Sequence, residues 1–342
     1  MKAYYIGLDI HRKTIAYCMK IQNGKIMDQG TIQATRQGLS GWLKTLPEPR
    51  IIAMEATIFT SWIYDFLKPH ALEMQVAHPQ MLKAITESKK KNDQKDAQTI
   101  ADLLRCNLLP QCHMIERETR DLRRVLRYRN MLVRECVRMN NKMAGILMET
   151  GTPYNKTKLR TKKYVHEVLG SVDYIPESAR ELLLLSKAGY DWFQKAQKRL
   201  VSALRSNSRI SQRVERLMTI PGVGEITALT WVLEMDDPHR FSSVKKAVSY
   251  CGLCSAQIES AGKQRRNPIS KKRNKHLQTI LIEAAKIAPL WNPELAEVYA
   301  REAAKGNRNQ ATIAVARKIV AFMLAVDKRE GNFEIPGEKQ AA

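Results

Sequence analysis

Four carboxylates stand where secondary structure is expected to gather acidic side chains. Asp9 ends one apolar, strand-like run, and Glu55 follows a second run of the same kind. Asp93 and Asp96 are three residues apart, so both point the same way if they lie on a helix. Carboxylates a few ångströms apart repel each other unless a divalent cation neutralises them, and such oxygen ligands select Mg²⁺ or Mn²⁺. Because paired ions of this type are used to cut phosphodiesters, the four acids predict a metal-dependent phosphoryl-transfer site.

The charge balance predicts a polyanionic partner. The 342 residues include 57 Lys and Arg against 34 Asp and Glu, a net charge of +23, which favours binding to DNA or RNA. No uninterrupted apolar stretch approaches the roughly 18 residues of a membrane-spanning helix. Charged residues also interrupt the N-terminal segment, where a secretory signal would need an apolar core. We therefore expect a cytoplasmic protein that does not bind membranes.

The six cysteines show no spacing typical of a disulfide framework, which fits reduced thiols. Cys251 and Cys254 form a lone CxxC pair, and His239 and His276 are the nearest further ligands. A structural zinc site needs two more ligands at comparable spacing, so we expect buried or incidental thiols.

The order of predicted elements in the first third of the chain indicates a mixed sheet. Apolar runs on either side of Asn23-Gly24 predict a hairpin within a meander of three strands. A helix, a strand, a second helix and a second strand follow, at 38–46, 50–54, 60–67 and 73–77. This is the ribonuclease H-like order, in which acids on the first and fourth strands meet acids on a later helix. We predict a ribonuclease H-like α/β domain over residues 1–112, followed by all-α regions.

A long helical arm is predicted over residues 113–207. The stretch from Ile115 to Thr150 lacks proline, and its apolar residues fall on heptad positions, with Arg129 at one of them. A helix of roughly 30 residues extends about 45 Å. A second helix near 177–206 is predicted to pack back on the first through Leu182, Leu185, Trp192 and Leu200, forming a coiled-coil hairpin. The arginine-lined first helix is either an arm that dimerises and touches nucleic acid or a helix with a solvated basic face.

We predict a C-terminal helical domain over 208–330 and a tail at 331–342. This domain contains a glycine turn and a basic segment. Pro221-Gly222-Val223-Gly224 between apolar helices is typical of a helix-hairpin-helix turn, whose amides bind phosphate without reading bases. The alternative is a purely structural connection.

Between Lys263 and Lys275 there are seven basic residues and no acid. The residues predicted to contact phosphate are Gly222, Gly224, Lys263, Arg265, Arg266, Lys271, Lys272 and Arg273, through contacts that weaken steeply with salt.

A serine beside these cations is a candidate nucleophile. Neighbouring positive charge stabilises both an alkoxide and the oxyanion formed when it attacks phosphorus. By spacing alone, Ser255, Ser260 and Ser270 are equivalent candidates.

Taken in order, these motifs resemble the insertion-sequence transposases of the one-hundred-ten family, recombinases guided by a bridging noncoding RNA. The motifs are Gly7-Leu8-Asp9, Met54-Glu55-Ala56-Thr57 and Asn92 to Ala97, then Ile220 to Gly224, Arg240-Phe241, Tyr250 to Leu253 and Ile269-Ser270-Lys271. The chain departs from the family pattern at Ile58-Phe59-Thr60 and at Asn267-Pro268. The second departure places a proline where a glycine pair is common, which fixes φ and removes a donor.

The resemblance implies a division of roles among these residues. Asp9, Glu55, Asp93 and Asp96 would hold Mg²⁺ or Mn²⁺ in the RuvC-like domain, and Ser260, a few residues after the Gly-Leu motif, would be the nucleophile. Ser260 would form a covalent phosphoserine with DNA, assisted by the acids of another subunit. The implied partners are donor and target DNA, the bridging RNA and further copies of the chain, as a dimer or a tetramer.

Three alternatives stay open. A RuvC-like Holliday-junction resolvase or nuclease would use the four acids and a metal-activated water alone. A non-enzymatic nucleic-acid-binding protein would use only the basic charge and the glycine turn. An actin-like ATPase also opens with Gly-Leu-Asp before a hairpin, but no later glycine-rich phosphate loop supports it.

Overall fold

The computed structural model describes residues 3–86, 92–171, 174–260, 263–269 and 273–334, with backbone alone at 84, 86, 256–260 and 263–267. The chain forms two compact units, Met1–Arg117 and Glu118–Ala342. The finer predicted boundaries, which separate a helical arm from a C-terminal domain, stay a prediction.

The first unit is built on a five-stranded mixed sheet. Its strands are β1 (Tyr4–Ile10), β2 (Thr14–Lys20), β3 (Ile26–Gln33), β4 (Arg50–Glu55) and β5 (Glu73–Ala77), in the order β3-β2-β1-β4-β5. The first three strands form an antiparallel meander, while β4 runs parallel to both β1 and β5. Gly24 has φ +88°, which favours glycine at the hairpin turn. The predicted strands and hairpin are confirmed, and the order is consistent with a ribonuclease H-like domain.

Helices cover both faces of this sheet. They are α1 (Arg36–Leu43), α2 (Thr60–Leu67), α3 (Pro79–Thr86) and α4 (Asp93–Arg105). Side chains alternate along β1, so Ile6 and Leu8 pack with α1 and α2 while Gly7 faces α4. A Cβ at Gly7 would lie 2.2 Å from the carbonyl oxygen of Ala97 and 2.4 Å from the amide nitrogen of Ala101. Gly7 therefore allows the backbone of α4 to lie directly on β1.

Polar contacts hold α4 in register on the sheet. Buried Lys20 on β2 donates to Asp102 at 2.6 Å, and Arg105 donates to the other oxygen of Asp102 at 2.7 Å. Burial alone would raise the pKa of Asp102, but hydrogen bonds and charge from Lys20 and Arg105 lower it. Near the start of α4, Gln94 donates to the carbonyl oxygen of Tyr17 at 2.8 Å. These contacts fix which residues of α4 lie at the edge of the sheet.

In its described residues, the second unit consists of helices and one hairpin. Its elements are α5 (Arg117–Glu149), α6 (Lys162–Gly170), α7 (Glu177–Arg205), α8 (Ser211–Met218), α9 (Glu225–Met235), α10 (Val244–Tyr250), β6 (Ser255–Ser260), β7 (Lys263–Ile269), α11 (Lys275–Ile287), α12 (Pro293–Ala303) and α13 (Arg308–Arg329). The 33 residues of α5 confirm the predicted long helix.

The second long helix packs on the first through a different face from the predicted one. Leu182, Leu185 and Trp192 are 49%, 70% and 62% exposed, so the prediction that they make this contact was wrong. Leu183 and Tyr190 face the core formed with α5 and α6 instead. The run of four leucines at 182–185 makes the phase of the helix ambiguous, and the inward face includes polar Ser186 and Lys187.

The C-terminal helices pack around α9, which is buried over most of its surface, including Trp231. On α13, Ile319, Val320 and Met323 are fully buried in the same core. In length and mean hydropathy α13 meets the criterion for a membrane span, although Arg317 and Lys318 interrupt its apolar residues. Half of that window is buried within the protein, as in the core helix of a globular domain.

All six cysteines are free. Cys251 belongs to the same core, and its burial raises the pKa of the thiol.

Candidate metal centre and serine hairpin

The sheet brings two of the acids to neighbouring strand ends. β1 and β4 are parallel, with Leu8 opposite Met54, so the next residues, Asp9 and Glu55, stand side by side at the carboxyl edge. Asp9 lies two residues after Gly7 and therefore shares the face that α4 covers. The first turn of α4 contains Asp93 and Asp96. The fold thus brings the four acids to one edge of the sheet.

A histidine joins two of these acids. Nε2 of His11 lies 3.1 Å from Oδ2 of Asp9 and 3.2 Å from Oδ2 of Asp93. One ligand atom from each of the three residues lies within 4.8 Å of the other two, and no other such group of His, Cys, Asp or Glu occurs in the described ranges. His11 was not among the residues singled out from the sequence. Its position two residues after Asp9, at the end of the same strand, is a signal that could have found it.

The electrostatics of Asp9 show how close the acids are. Burial raises the pKa of Asp9, His11 lowers it, and the negative charges of Asp93 and Asp96 raise it further. Asp96 therefore contributes charge to the group, although its ligand atoms lie outside the three-residue cluster. Glu55 adjoins Asp9 through the strand register and is also outside that cluster.

The candidate serine lies on a two-stranded hairpin in the second unit. β6 and β7 pair in antiparallel fashion, and Ser260, the last residue of β6, is opposite Lys263. Ser255 is at the other end of the hairpin, opposite Ile269. The structure thus separates two of the candidate serines, with Ser260 at the turn and Ser255 at the base. Ser270, Lys271 and Lys272 lie outside the described residues, as do the side chains of Ser260, Lys263, Arg265 and Arg266.

The base of this hairpin is fixed by hydrogen bonds to helices. The backbone N–H of Asn274 donates to the carbonyl of Tyr250 at 3.1 Å, which joins the chain just before the hairpin to the chain just after it. Gln278 donates to the carbonyl of Gly252 at 2.6 Å, and Arg317 donates to that of Leu253 at 2.8 Å. The exposed side chain of Arg273 packs over Gly252, where a Cβ would lie 2.3 Å from its Cβ. These contacts hold the two ends of the hairpin in place.

A buried carboxylate links this base to the long helix α5. Glu234 on α9 is fully buried and accepts two hydrogen bonds from Arg127, at 2.7 and 2.8 Å, and one from the side-chain amide of Asn274, at 2.8 Å. Burial alone would raise the pKa of Glu234, but the hydrogen bonds and charge of Arg127, the amide of Asn274 and the charge of Arg123 lower it.

We predict that Glu234→Gln lowers the free energy of unfolding by about 3 kcal/mol near neutral pH, because it removes the charge that two arginines face. A carboxyl whose pKa is depressed by folding stabilises the protein above its unfolded pKa and loses that effect as pH falls. The difference in the free energy of unfolding between wild type and Glu234→Gln should therefore shrink as the pH falls below the ordinary pKa of glutamate. Denaturant unfolding across pH measures this difference. Glu283→Gln, at an exposed carboxylate paired with Lys286, is the control and should change stability little. Equal stability of wild type and Glu234→Gln at neutral pH would contradict the prediction.

The predicted glycine turn connects α8 and α9. Gly222 has φ +91°, and a Cβ there would lie 2.5 Å from the Cβ of Ala288. Gly224 is the N-cap residue of α9, and Glu225 in the first turn pairs with Arg205 at 3.4 Å. Turn conformation and packing thus account for Gly222, and phosphate binding by Gly222 and Gly224 stays a prediction.

The strand order and the gathered acids are consistent with the ribonuclease H-like class of metal-dependent domain. Residues 6–152 match the DEDD-type transposase model of the IS110 family, and residues 214–300 match the model described as transposase IS116/IS110/IS902 family. The chain is 24% identical to the transposase for insertion sequence element IS1328 of Yersinia enterocolitica, over 94% of this chain and 96% of the relative. It is 25% identical to the transposase for IS1111A of Coxiella burnetii, over 96% and 90%. The chain belongs to the IS110 family of insertion-sequence transposases, enzymes of DNA recombination.

A DEDD-type transposase domain implies a divalent metal ion, and the residues present fit one. Asp9, His11 and Asp93 place ligand atoms close enough to contact a single cation. The mutual repulsion that Asp9, Asp93 and Asp96 experience is what a cation would relieve.

Proposed function

We propose that this transposase cuts and exchanges DNA strands by a covalent phosphoserine at Ser260, assisted by Mg²⁺ or Mn²⁺ held by Asp9, Glu55, Asp93 and Asp96. The observation that supports this most is the gathering of the four acids at one edge of a ribonuclease H-like sheet, in a chain of this family. The position of Ser260 at the turn of a hairpin with a basic second strand supports the role of the serine.

In the proposed reaction, Oγ of Ser260 attacks a backbone phosphorus and its proton passes to a nearby base or to water. The bond from phosphorus to the leaving deoxyribose oxygen breaks, and that oxygen takes up a proton. Attack by a deoxyribose hydroxyl of another strand reverses the step and releases the serine, so strands are exchanged without an energy-rich cofactor. Asp9, Glu55, Asp93 and Asp96 would hold a divalent ion, which would supply positive charge to offset that of the phosphate and the leaving oxygen. Contacts from Lys263, Arg265, Arg266, Lys271, Lys272 and Arg273, with the amides near Gly222 and Gly224, hold the backbone.

The active assembly is proposed to be a dimer that becomes a tetramer on DNA. The acids lie in one unit of the chain and Ser260 in the other, so a site can be completed by two subunits. The exposed Leu182, Leu185 and Trp192 on α7 give the second unit an apolar surface that self-association would cover. In this assembly the acids of one subunit assist the serine of another.

A bridging noncoding RNA is the proposed guide, in the cytosol or nucleoid of a prokaryote. The net charge of +23 suits polyanionic partners such as RNA and DNA. We predict that protein purified from cells carrying the gene with its flanking DNA retains one discrete transcript from that DNA, found by sequencing the bound RNA. A sample containing only bulk cellular RNA would contradict the guided reaction and favour a resolvase that uses the acids and water alone.

A further inference from the structure

His11 occupies a position between two acids that suits a metal ligand. Its Nε2 is 3.1 Å from an oxygen of Asp9 and 3.2 Å from an oxygen of Asp93. One N–H can point fully at only one of these oxygens, whereas a cation among the three atoms contacts all of them. The spacing also suits direct ligation. With metal–ligand bonds of about 2.1 Å, neighbouring octahedral ligands are about 3.0 Å apart.

The backbone holds His11 at this place while leaving it accessible. The amide of His11 donates to the carbonyl of Thr14 at 2.9 Å, which closes the turn between β1 and β2. Its side chain is 41% exposed, so an ion can enter from solvent. The position is therefore set by the same strand that holds Asp9.

We propose that His11 is a nitrogen ligand of the metal centre and gives it a preference for Mn²⁺ over Mg²⁺. Mn²⁺ shares the preference of Mg²⁺ for carboxylate and water oxygens, but as a first-row transition ion it accepts an imidazole nitrogen more readily than Mg²⁺ does. The four acids alone would hold either ion, so the imidazole is the element that discriminates. This inference rests on the metal centre of the proposed function and not on its serine chemistry.

The direct test is pulsed electron paramagnetic resonance of the full-length protein with one equivalent of Mn²⁺ and no DNA. Electron spin echo modulation should show coupling between the ion and an imidazole ¹⁴N, which changes to a ¹⁵N pattern when the histidines are ¹⁵N-labelled. The coupling should disappear in His11→Ala and persist in His70→Ala, a control at an exposed histidine outside the acid cluster. The change from a ¹⁴N to a ¹⁵N pattern is measured in the wild-type protein. The proposal can therefore be tested even if His11→Ala misfolds.

Competition between Mn²⁺ and Mg²⁺ gives a second measurement. His11→Ala should lower the ratio of Mn²⁺ to Mg²⁺ affinity by at least about tenfold, since losing even an outer partner of a metal ligand costs that much in affinity. Bound Mn²⁺ without nitrogen coupling, or an unchanged ratio, would overturn the proposal and leave His11 as a hydrogen-bond partner of the acids. Wild-type protein that binds neither ion would count against the metal centre itself. Wild-type protein that shows the coupling between Mn²⁺ and the imidazole nitrogen but forms no covalent adduct at Ser260 would instead count against the proposed function.

Discussion

Ser260→Ala is expected to abolish both recombination and the covalent protein–DNA adduct, with strand exchange falling by at least about a thousandfold. The reason is that alanine removes the oxygen that forms the bond to phosphorus, and water does not replace a covalent link that must persist while strands change partners. DNA binding should be unchanged, because the contacts to the backbone come from the cations around the serine. Gel separation under denaturing conditions measures the adduct, and a plasmid recombination assay measures the product.

Ser255→Ala is the matched control for this change. Ser255 lies on the same hairpin but at its base, opposite Ile269, whereas Ser260 is at the turn. The account predicts that Ser255→Ala recombines normally. Normal recombination by Ser260→Ala would remove the serine from the mechanism and leave the acids with a water nucleophile.

Replacing Asp9 with Asn and Glu55 with Gln together is expected to abolish metal-dependent strand cleavage. The two side chains are neighbours at the carboxyl edge of β1 and β4, so the double change removes two negative charges from one edge of the sheet. Neutral amides are weak ligands for Mg²⁺ and Mn²⁺, so affinity for the ion should fall along with cleavage. Cleavage of a DNA substrate and calorimetric titration with Mn²⁺ measure the two effects separately.

A carboxylate at the opposite edge of the sheet provides the control for the acids. Glu73 begins β5, and its side chain accepts from Gln75 at 2.7 Å, away from the acid cluster. Glu73→Gln should leave both cleavage and metal binding unchanged. Full recombination by the Asp9 and Glu55 double variant would contradict the metal site and show that catalysis does not depend on these acids.

The fold of the first unit was predictable because its signals are local. Apolar runs of strand length and the Asn23-Gly24 turn determine the meander, and the spacing of Asp93 and Asp96 places both on the first turn of α4. The approach of α4 to Gly7 was not predictable in this way. It depends on which helix residues lie opposite one glycine, and that is decided by contacts such as Lys20 with Asp102, far apart in sequence.

The second unit shows where periodicity fails. The leucines at 182–185 fit more than one helical phase, and the inward face includes Lys187, which is buried and paired with Asp191. A lysine normally indicates an exposed face of a helix. Lys187 can be buried because Asp191, one turn later, pairs with it. The burial of Glu234 could not be predicted either, because its partners Arg127 and Asn274 are separated from it by 107 and 40 positions in the sequence.

His11 illustrates the same limit at the candidate site. The sequence showed four acids whose type and spacing suggested a metal, but a histidine beside a lysine and an arginine looks like part of a basic turn. Only the folded strand end places its Nε2 between Asp9 and Asp93. The four acids were enough to predict a metal site at this edge of the sheet. The structure shows that His11 also lies at that site.

DNA is expected to become covalently joined to Ser260, and mass spectrometry of the trapped complex can detect that bond. Wild-type protein is incubated with donor and target DNA, denatured, and digested with protease and nuclease. We expect a peptide that contains Ser260 and retains a nucleotide phosphate on that side chain, and that is absent from the Ser260→Ala protein. Strand cleavage without any adduct, or a nucleotide found on another residue, would show that Ser260 is not the nucleophile.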